Sequence, residues 1–242
     1  MIFDGSQVLI GKGAQADVFS YHGYAYKVYR PSYPSEWIAF EKRQQRAVNQ
    51  AGLSSIRYYD TDDDHIIRMD LIDGEVLETY AIRRDPLSFD ILTRAFARVH
   101  AAAPEGIGIP PLSLTAGMEL CEDDRAVVLP VIERLSGKMK PCICHLDMHL
   151  QNIMLPRGIS SISRETEFTI IDWMNARLAP AVFDYAKTYV LFDEFSKEAL
   201  AIYKNQVLHQ MWKQGVTEED FSDAVKACLL IRKRERNPDP VV

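Results

Sequence analysis

The sequence predicts an α+β fold of two lobes: a small antiparallel β-sheet with one helix, then a mostly helical half. Three observations predict it. Short runs rich in Val, Ile, Tyr and Phe, bounded by turn residues, recur to about residue 70. One helical stretch, Glu36 to Gln50, interrupts them. After a break at Asp73-Gly74, apolar residues recur at helical spacing instead.

Gln7 to Ile10 reads as a strand running into Gly11-Lys-Gly13. Asp17 to Tyr21 follows as a second strand, His22-Gly23 makes a turn, and Tyr24 to Tyr29 returns as a third. Pro31 and Pro34 close the block, and Ser35 is placed to cap a helix that ends at Gly52. Ile56 to Asp60 and Ile66 to Ile72 form a strand pair across the acidic turn Thr61 to Asp64. In the second half, Ser88 to Ala103 carries Ile91, Leu92, Ala95, Phe96 and Val99 on one helical face. Residues 104–111 are a Pro- and Gly-rich loop, and residues 142–173 read as short strands and loops. Two more helices are expected over 194–213 and 217–235, the second opening on a capping-box-like Thr217-Glu-Glu-Asp220. The boundary falls at residue 72: residues 1–72 form the first lobe, and residues 73–242 the helical lobe.

Composition narrows the function. The 242 residues are 47% hydrophobic and 26% charged, which supports a packed core. A net charge of −6 argues against non-specific nucleic-acid binding and suits a neutral or cationic small substrate. No secretory signal and no membrane-spanning apolar run is visible. The four cysteines do not form a disulfide pattern, so a cytoplasmic protein is expected.

The chemistry is carried by His145-Leu-Asp147-Met-His-Leu-Gln-Asn152 and, twenty residues on, Ile170-Ile-Asp172-Trp173. The segment H-x-D-x-x-x-x-N differs from the protein-kinase catalytic loop only in lacking its Arg. Phosphoryl transfer needs one carboxylate to orient the acceptor hydroxyl, which Asp147 supplies. It also needs hard oxygen ligands for magnesium, which Asn152 and Asp172 supply. Asp172 follows an apolar pair and so leaves a buried strand facing the cleft. Gly11 and Gly13 sit between two strands, where their backbone N–H groups can approach phosphate. Lys27, on the third strand, is placed to meet the α- and β-phosphates, with Glu41 on the following helix as its preferred partner and Glu36 as the rival. Taken singly, each residue also suits a plain turn, a solvated lysine or a loop cap. Their order along the chain favours the joint reading.

These segments resemble the aminoglycoside phosphotransferase and choline kinase family, which has a protein-kinase-like fold. The family's H-G-D-x-H-x-x-N and I-D-W are matched by residues 145–152 and 171–173. Further similarity lies in Arg68 to Leu77, in Leu92 to His100 and in Phe183-Asp184-Tyr-Ala186, so the likeness spans residues 8 to about 190. It implies ATP bound between the lobes with its adenine against Asp70 to Ile72, so that residues 1–72 are the nucleotide-binding lobe and residues 73–242 carry the catalytic and acceptor site. Asp147 would then be the base, with magnesium on Asn152 and Asp172 and Lys27 on phosphate. His100, Trp173 and Asp184 would support the catalytic loop. Two departures stand out: Leu146 replaces the small residue between His and Asp, and Ala16 replaces the third loop glycine.

Three functions follow: a small-molecule kinase, a protein Ser/Thr kinase, or a catalytically weak nucleotide-binding pseudokinase. The absence of an A-P-E motif after Asp172 disfavours a protein acceptor. Retention of Lys27, Asp147, Asn152 and Asp172 disfavours the pseudokinase. A small-molecule hydroxyl acceptor, aminoglycoside- or choline-like, is the expected partner. The run Cys142-Ile-Cys144-His145 with His149 does not match a standard zinc spacing, and the two thiols suit one packed face of a strand. The basic run Arg232 to Arg236 suits a helix C-terminus. Asp193, Glu194 and Glu198 either line the acceptor side or face water.

Overall fold

A computed structural model describes residues 3–236. Both outer limits of the expected lobes, residues 1 and 242, lie outside the described residues. The first third is a five-stranded antiparallel sheet in the order β1-β2-β3-β5-β4. Its strands are β1 (Val8–Lys12), β2 (Ala16–Tyr21), β3 (Tyr24–Tyr29), β4 (Tyr58–Tyr59) and β5 (Ile66–Asp70). The register of β1 on β2 shifts between Leu9 and Gly11, which bends the strand just before the glycine loop. Helix α1 (Ser35–Gln50) packs Ile38 with Ala16, Tyr29 and Ile67 in a small separate core.

Ser35 does not cap α1. Pro34 takes the N-cap position in an extended conformation, and no side chain caps the helix. The fixed φ of proline and its lack of an N–H suit a helix start, so Ser35 moves into the first turn.

The second part begins with β6 (Gly74–Val76), which joins β8 (Ile153–Pro156) and β9 (Thr169–Ile170) in a three-stranded sheet. Gly74 is required there, because a Cβ would lie 2.6 Å from the Leu155 carbonyl oxygen. A second ladder joins β7 (Cys142–Cys144) to β10 (Arg177–Ala179). These short strands hold the catalytic segments, and helices surround them. They are α2 (Leu77–Ile82), α3 (Ser88–Ala101), α4 (Leu112–Glu119), α5 (Glu122–Lys138), α6 (Ala181–Phe195), α7 (Lys197–Gln206), α8 (Leu208–Lys213) and α9 (Glu218–Arg236).

Four of these, α2, α4, α5 and α6, do not emerge from the sequence pattern. Helix α6 is buried at ten of its fifteen residues, so apolar side chains cover it almost all round and no polar face sets a period. Each fully buried large side chain there, such as Phe183, contributes about 1.5–3 kcal/mol through burial. Helix α5 carries Pro130 in its interior. The single helix expected over 194–213 is two, and its start belongs to α6. Ser196 breaks the chain at φ −157° and caps α7 by accepting from the Ala199 N–H at 3.2 Å. At α9, the Thr217 hydroxyl accepts from the Asp220 N–H at 3.1 Å, but Asp220 does not reach back to complete a capping box. Its carboxylate binds Arg134 at 2.7 Å and Lys138 at 2.9 Å.

Candidate active site

Between the sheet and the helical part lies a cleft of about 2330 Å³. A pocket for one small molecule is on the order of 300–1,000 Å³, so this cleft has room for two. Gly11, Gly13, Lys27, Asp70, Ile72, Asp147, Asn152 and Asp172 all line it; Glu41 lies behind its wall.

Lys27 enters from β3. Its ammonium donates to both Glu41 oxygens, at 2.8 and 3.1 Å, and reaches Asp172 Oδ1 at 3.4 Å. The rival Glu36 makes no such contact. Glu41 is almost fully buried and also accepts from the hydroxyls of Tyr29 and of Tyr58, the latter at 3.3 Å. Burial alone favours neutral Lys27, but the charges of Asp172 and Glu41 outweigh it and raise its pKa well above the usual lysine range. Burial, with the nearby Glu41 charge, also raises Tyr29 and Tyr58, which stay neutral donors.

The catalytic segment is built around a buried histidine. His145 Nε2 lies 3.0 Å from the Ile171 carbonyl, and its Nδ1 accepts from the Asp147 N–H at 3.2 Å. One ring thereby ties the Asp147 turn to the strand that leads to Asp172. Burial lowers the His145 pKa and keeps the ring neutral, as this pair of bonds requires. The Trp173 indole N–H donates to the Ile170 carbonyl at 3.1 Å and fixes the same strand end.

Leu146 has φ +57°, a left-handed conformation that costs a non-glycine residue about 1–2 kcal/mol. Asp184 compensates. Its fully buried carboxylate accepts from the His145 N–H at 3.0 Å and the Leu146 N–H at 2.8 Å, and lies 2.9 Å from His100 Nε2. The Leu146 side chain is itself buried. Asp172 is also left-handed, at φ 62° and ψ 64°, which turns its half-exposed carboxylate into the cleft.

Asn152 donates its amide N–H groups to the Asp147 carbonyl at 2.8 Å and to Asp147 Oδ2 at 3.1 Å. Its amide oxygen is left for another partner. Burial disfavours the Asp147 charge, but the adjacent His149 outweighs it and holds the carboxyl at about 2. His149 Nε2 stands 3.8 Å from Asp147 Oδ1.

The Gly13 N–H closes the hairpin on the Ala16 carbonyl at 2.9 Å, and buried Ala16 packs under the sheet. Asp70 turns its carboxylate away from the cleft, onto the Arg57 N–H and the Tyr59 hydroxyl at 2.8 Å each. Its backbone therefore forms the cleft wall with Leu71 and Ile72.

Past Asp147, the wall is made by α6 and α9, including Lys187, Cys228, Ile231 and Glu235. Sequence pattern gave these no part in the site, since nothing local marks a wall built by remote helices. Lys187 is fully buried and pairs with Glu235. The basic run is committed internally as well as to the helix end: Arg232 and Arg236 bind Glu194, and Arg234 donates to the Glu119 carbonyl at 2.8 Å. Among the three acidic residues in question, Glu198 lines the cleft, whereas Asp193 pairs with Lys197 on the surface.

The chain belongs to the phosphotransferase enzyme family, whose pattern it matches over residues 6–215. Its fold is protein-kinase-like and is shared by solved phosphotransferases. An aminoglycoside-3'-phosphotransferase of type VIII aligns with TM-score 0.63 at 17% identity, over 93% of each chain. An aminoglycoside phosphotransferase from Streptomyces rimosus aligns with TM-score 0.61 at 14% identity, over 94% of this chain and 93% of that one. A choline kinase from Streptococcus pneumoniae aligns with TM-score 0.58 at 16% identity, over 98% of this chain and 88% of that one. A search of curated proteins finds no match. No helix among the described residues is long and apolar enough to cross a membrane.

Proposed function

We propose that this chain transfers the γ-phosphoryl group of ATP to a hydroxyl of a small polar molecule. One observation carries the reading: Lys27, Asp147, Asn152 and Asp172 face a single cleft large enough for nucleotide and acceptor together. The adenine lies against the backbone of Asp70 to Ile72. The phosphates lie under Gly11 and Gly13, within reach of Lys27, and Glu41 holds that ammonium in place.

The residues present fit magnesium. The free amide oxygen of Asn152 and the carboxylate of Asp172 are hard oxygen donors, which that ion prefers. When bound, the ion neutralises charge on the transferring phosphates. Asp147 stays ionised at neutral pH and, with its low pKa, is a weak base in the ground state. Its work is to orient the acceptor hydroxyl and take the proton late. The acceptor occupies the side formed by α6 and α9, and an amino alcohol, a sugar or an aminoglycoside suits its mixed charge. A reducing, cytoplasmic setting suits the four unbridged cysteines.

The test is a turnover screen of ATP against amino alcohols, sugars and aminoglycosides. At least one should stimulate phosphate transfer, and Asp147→Asn should then lower kcat by roughly 10²–10⁴-fold. Intact turnover in that variant would remove Asp147 from its role. Asp172→Ala should abolish metal-dependent nucleotide binding, and unchanged affinity for magnesium-ATP would refute its assignment.

A further inference from the structure

Beneath the catalytic loop, three soft ligands converge that the proposed reaction does not use. Cys142 and Cys144 lie on one face of β7 with their sulfurs 3.9 Å apart. A ring nitrogen of His100, from the last turn of α3, lies within 4.8 Å of both. The separation is informative. Two thiolates on one tetrahedral zinc ion, each at about 2.3 Å, stand about 3.8 Å apart.

The histidine gives an independent observation. Its side chain is 10% exposed, and Nε2 is held by Asp184 at 2.9 Å. The other nitrogen, Nδ1, is buried and has no hydrogen-bond partner among the described residues. A buried ring nitrogen left unpaired costs free energy. A metal-bound histidine, by contrast, commonly donates its second ring N–H to a carboxylate, as this one can to Asp184. The Ala179 carbonyl oxygen lies 3.6 Å from the Cys142 sulfur and 3.3 Å from that of Cys144, beside both thiols. Cys142 is partly exposed, which gives an ion a way in. The local spacing C-x-C-H misleads here, because the neighbouring His145 is already bound at both ring nitrogens. The third ligand comes from α3, more than forty residues earlier.

We propose that Cys142, Cys144 and His100 Nδ1 form a binding site for one thiophilic divalent ion of the zinc class, distinct from the magnesium site. Binding releases the two thiol protons to solvent and leaves the His100 proton on Nε2, where Asp184 accepts it. The ion cross-links α3 and β7 next to β10. It also fixes the histidine that shares Asp184 with the His145 and Leu146 N–H groups, so it braces the loop that carries Asp147.

The test uses the full chain, reduced and stripped of metal, and requires no kinase substrate, so it is independent of the proposed activity. Cobalt chloride is added stepwise in the presence of excess magnesium. One equivalent should bind and give a thiolate-to-cobalt absorption band in the near ultraviolet, with tetrahedral bands in the visible. One equivalent of zinc chloride should displace it. The bands should be lost in C142S and in C144S and kept in C121S, with the fold of each variant checked by circular dichroism. Should C144S not fold, alkylation of Cys142 by iodoacetamide decides: one equivalent of zinc should slow it roughly tenfold or more in the unmodified chain. Absence of the near-ultraviolet band, its survival in C142S, or an alkylation rate indifferent to zinc overturns the site.

Discussion

Two loops face the same cleft, and they are held in opposite ways. The glycine loop between β1 and β2 rests on two backbone bonds, from the Gly13 N–H to the Ala16 carbonyl and from the Arg30 N–H to the Gln15 carbonyl, and the strand leading into it is open, with Val8 61% and Leu9 51% exposed. The catalytic loop is tied from below by a fully buried carboxylate, Asp184, and from the side by the His145 ring. The first can yield to an entering nucleotide at little cost. The second holds a left-handed Leu146 that would relax without its anchors. The glycine loop is therefore the one free to shift, and the loop of Asp147 the one held in a fixed position.

Removing the anchor is the largest blow this contrast allows. Asp184→Asn leaves two buried N–H groups and His100 without a charged acceptor, and should cost about 3–5 kcal/mol of stability in urea unfolding. A loss below about 1 kcal/mol would mean that the loop is held elsewhere. Acid should act next. Asp147 has its pKa lowered from the ordinary 3.8 to about 2, so its ionised form favours the folded state. Its contribution is complete above about pH 4 and is lost as pH falls through about 2, on the order of 2 kcal/mol. Asp147→Asn should flatten the stability profile in that window, and an unchanged slope would refute the assignment.

Leu146→Gly sets two effects against each other. It relieves about 1–2 kcal/mol of left-handed strain. It also removes a buried leucine worth about 2–5 kcal/mol. A net loss of about 1–2 kcal/mol in the unfolding midpoint is expected. A gain would show that the strain dominates. On the other loop, Gly11→Ala meets only ordinary contact, its Cβ 3.4 Å from that of Val18. Stability should move by less than about 0.5 kcal/mol, while the KM for ATP rises. A rise in KM from Leu146→Gly but none from Gly11→Ala would reverse the roles of the two loops.

Much of this was readable in the sequence where structure is local. The β1–β5 strands and α1 followed from alternation, Gly and Pro, and the partnership of Lys27 with Glu41 from helix length. What was not readable depends on the whole fold. Helix α6 hides its period because it is buried nearly all round, and α5 because a proline sits inside it. Ser35 failed as a cap because Pro34 already sets the helix start. The cleft wall past Asp147 includes Lys187 and Glu235, forty-eight residues apart, which no local spacing joins. Likewise, His100 meets Cys142 and Cys144 only after α3 packs on β7.

Helix α1 carries more than Glu41. One turn further on, Gln44 donates to the Ala176 carbonyl at 2.6 Å, just past Asp172, while Tyr33 ahead of the helix contacts the Met174 sulfur at 3.6 Å. The helix is thus clamped to the far bank of the cleft while its other face lies on the sheet. Rotating the sheet away would have to drag α1 off that clamp, or shear the sheet along α1 and strain the link between Glu41 and Lys27. Helix α1 thus acts as a strut that keeps the two banks at a fixed width.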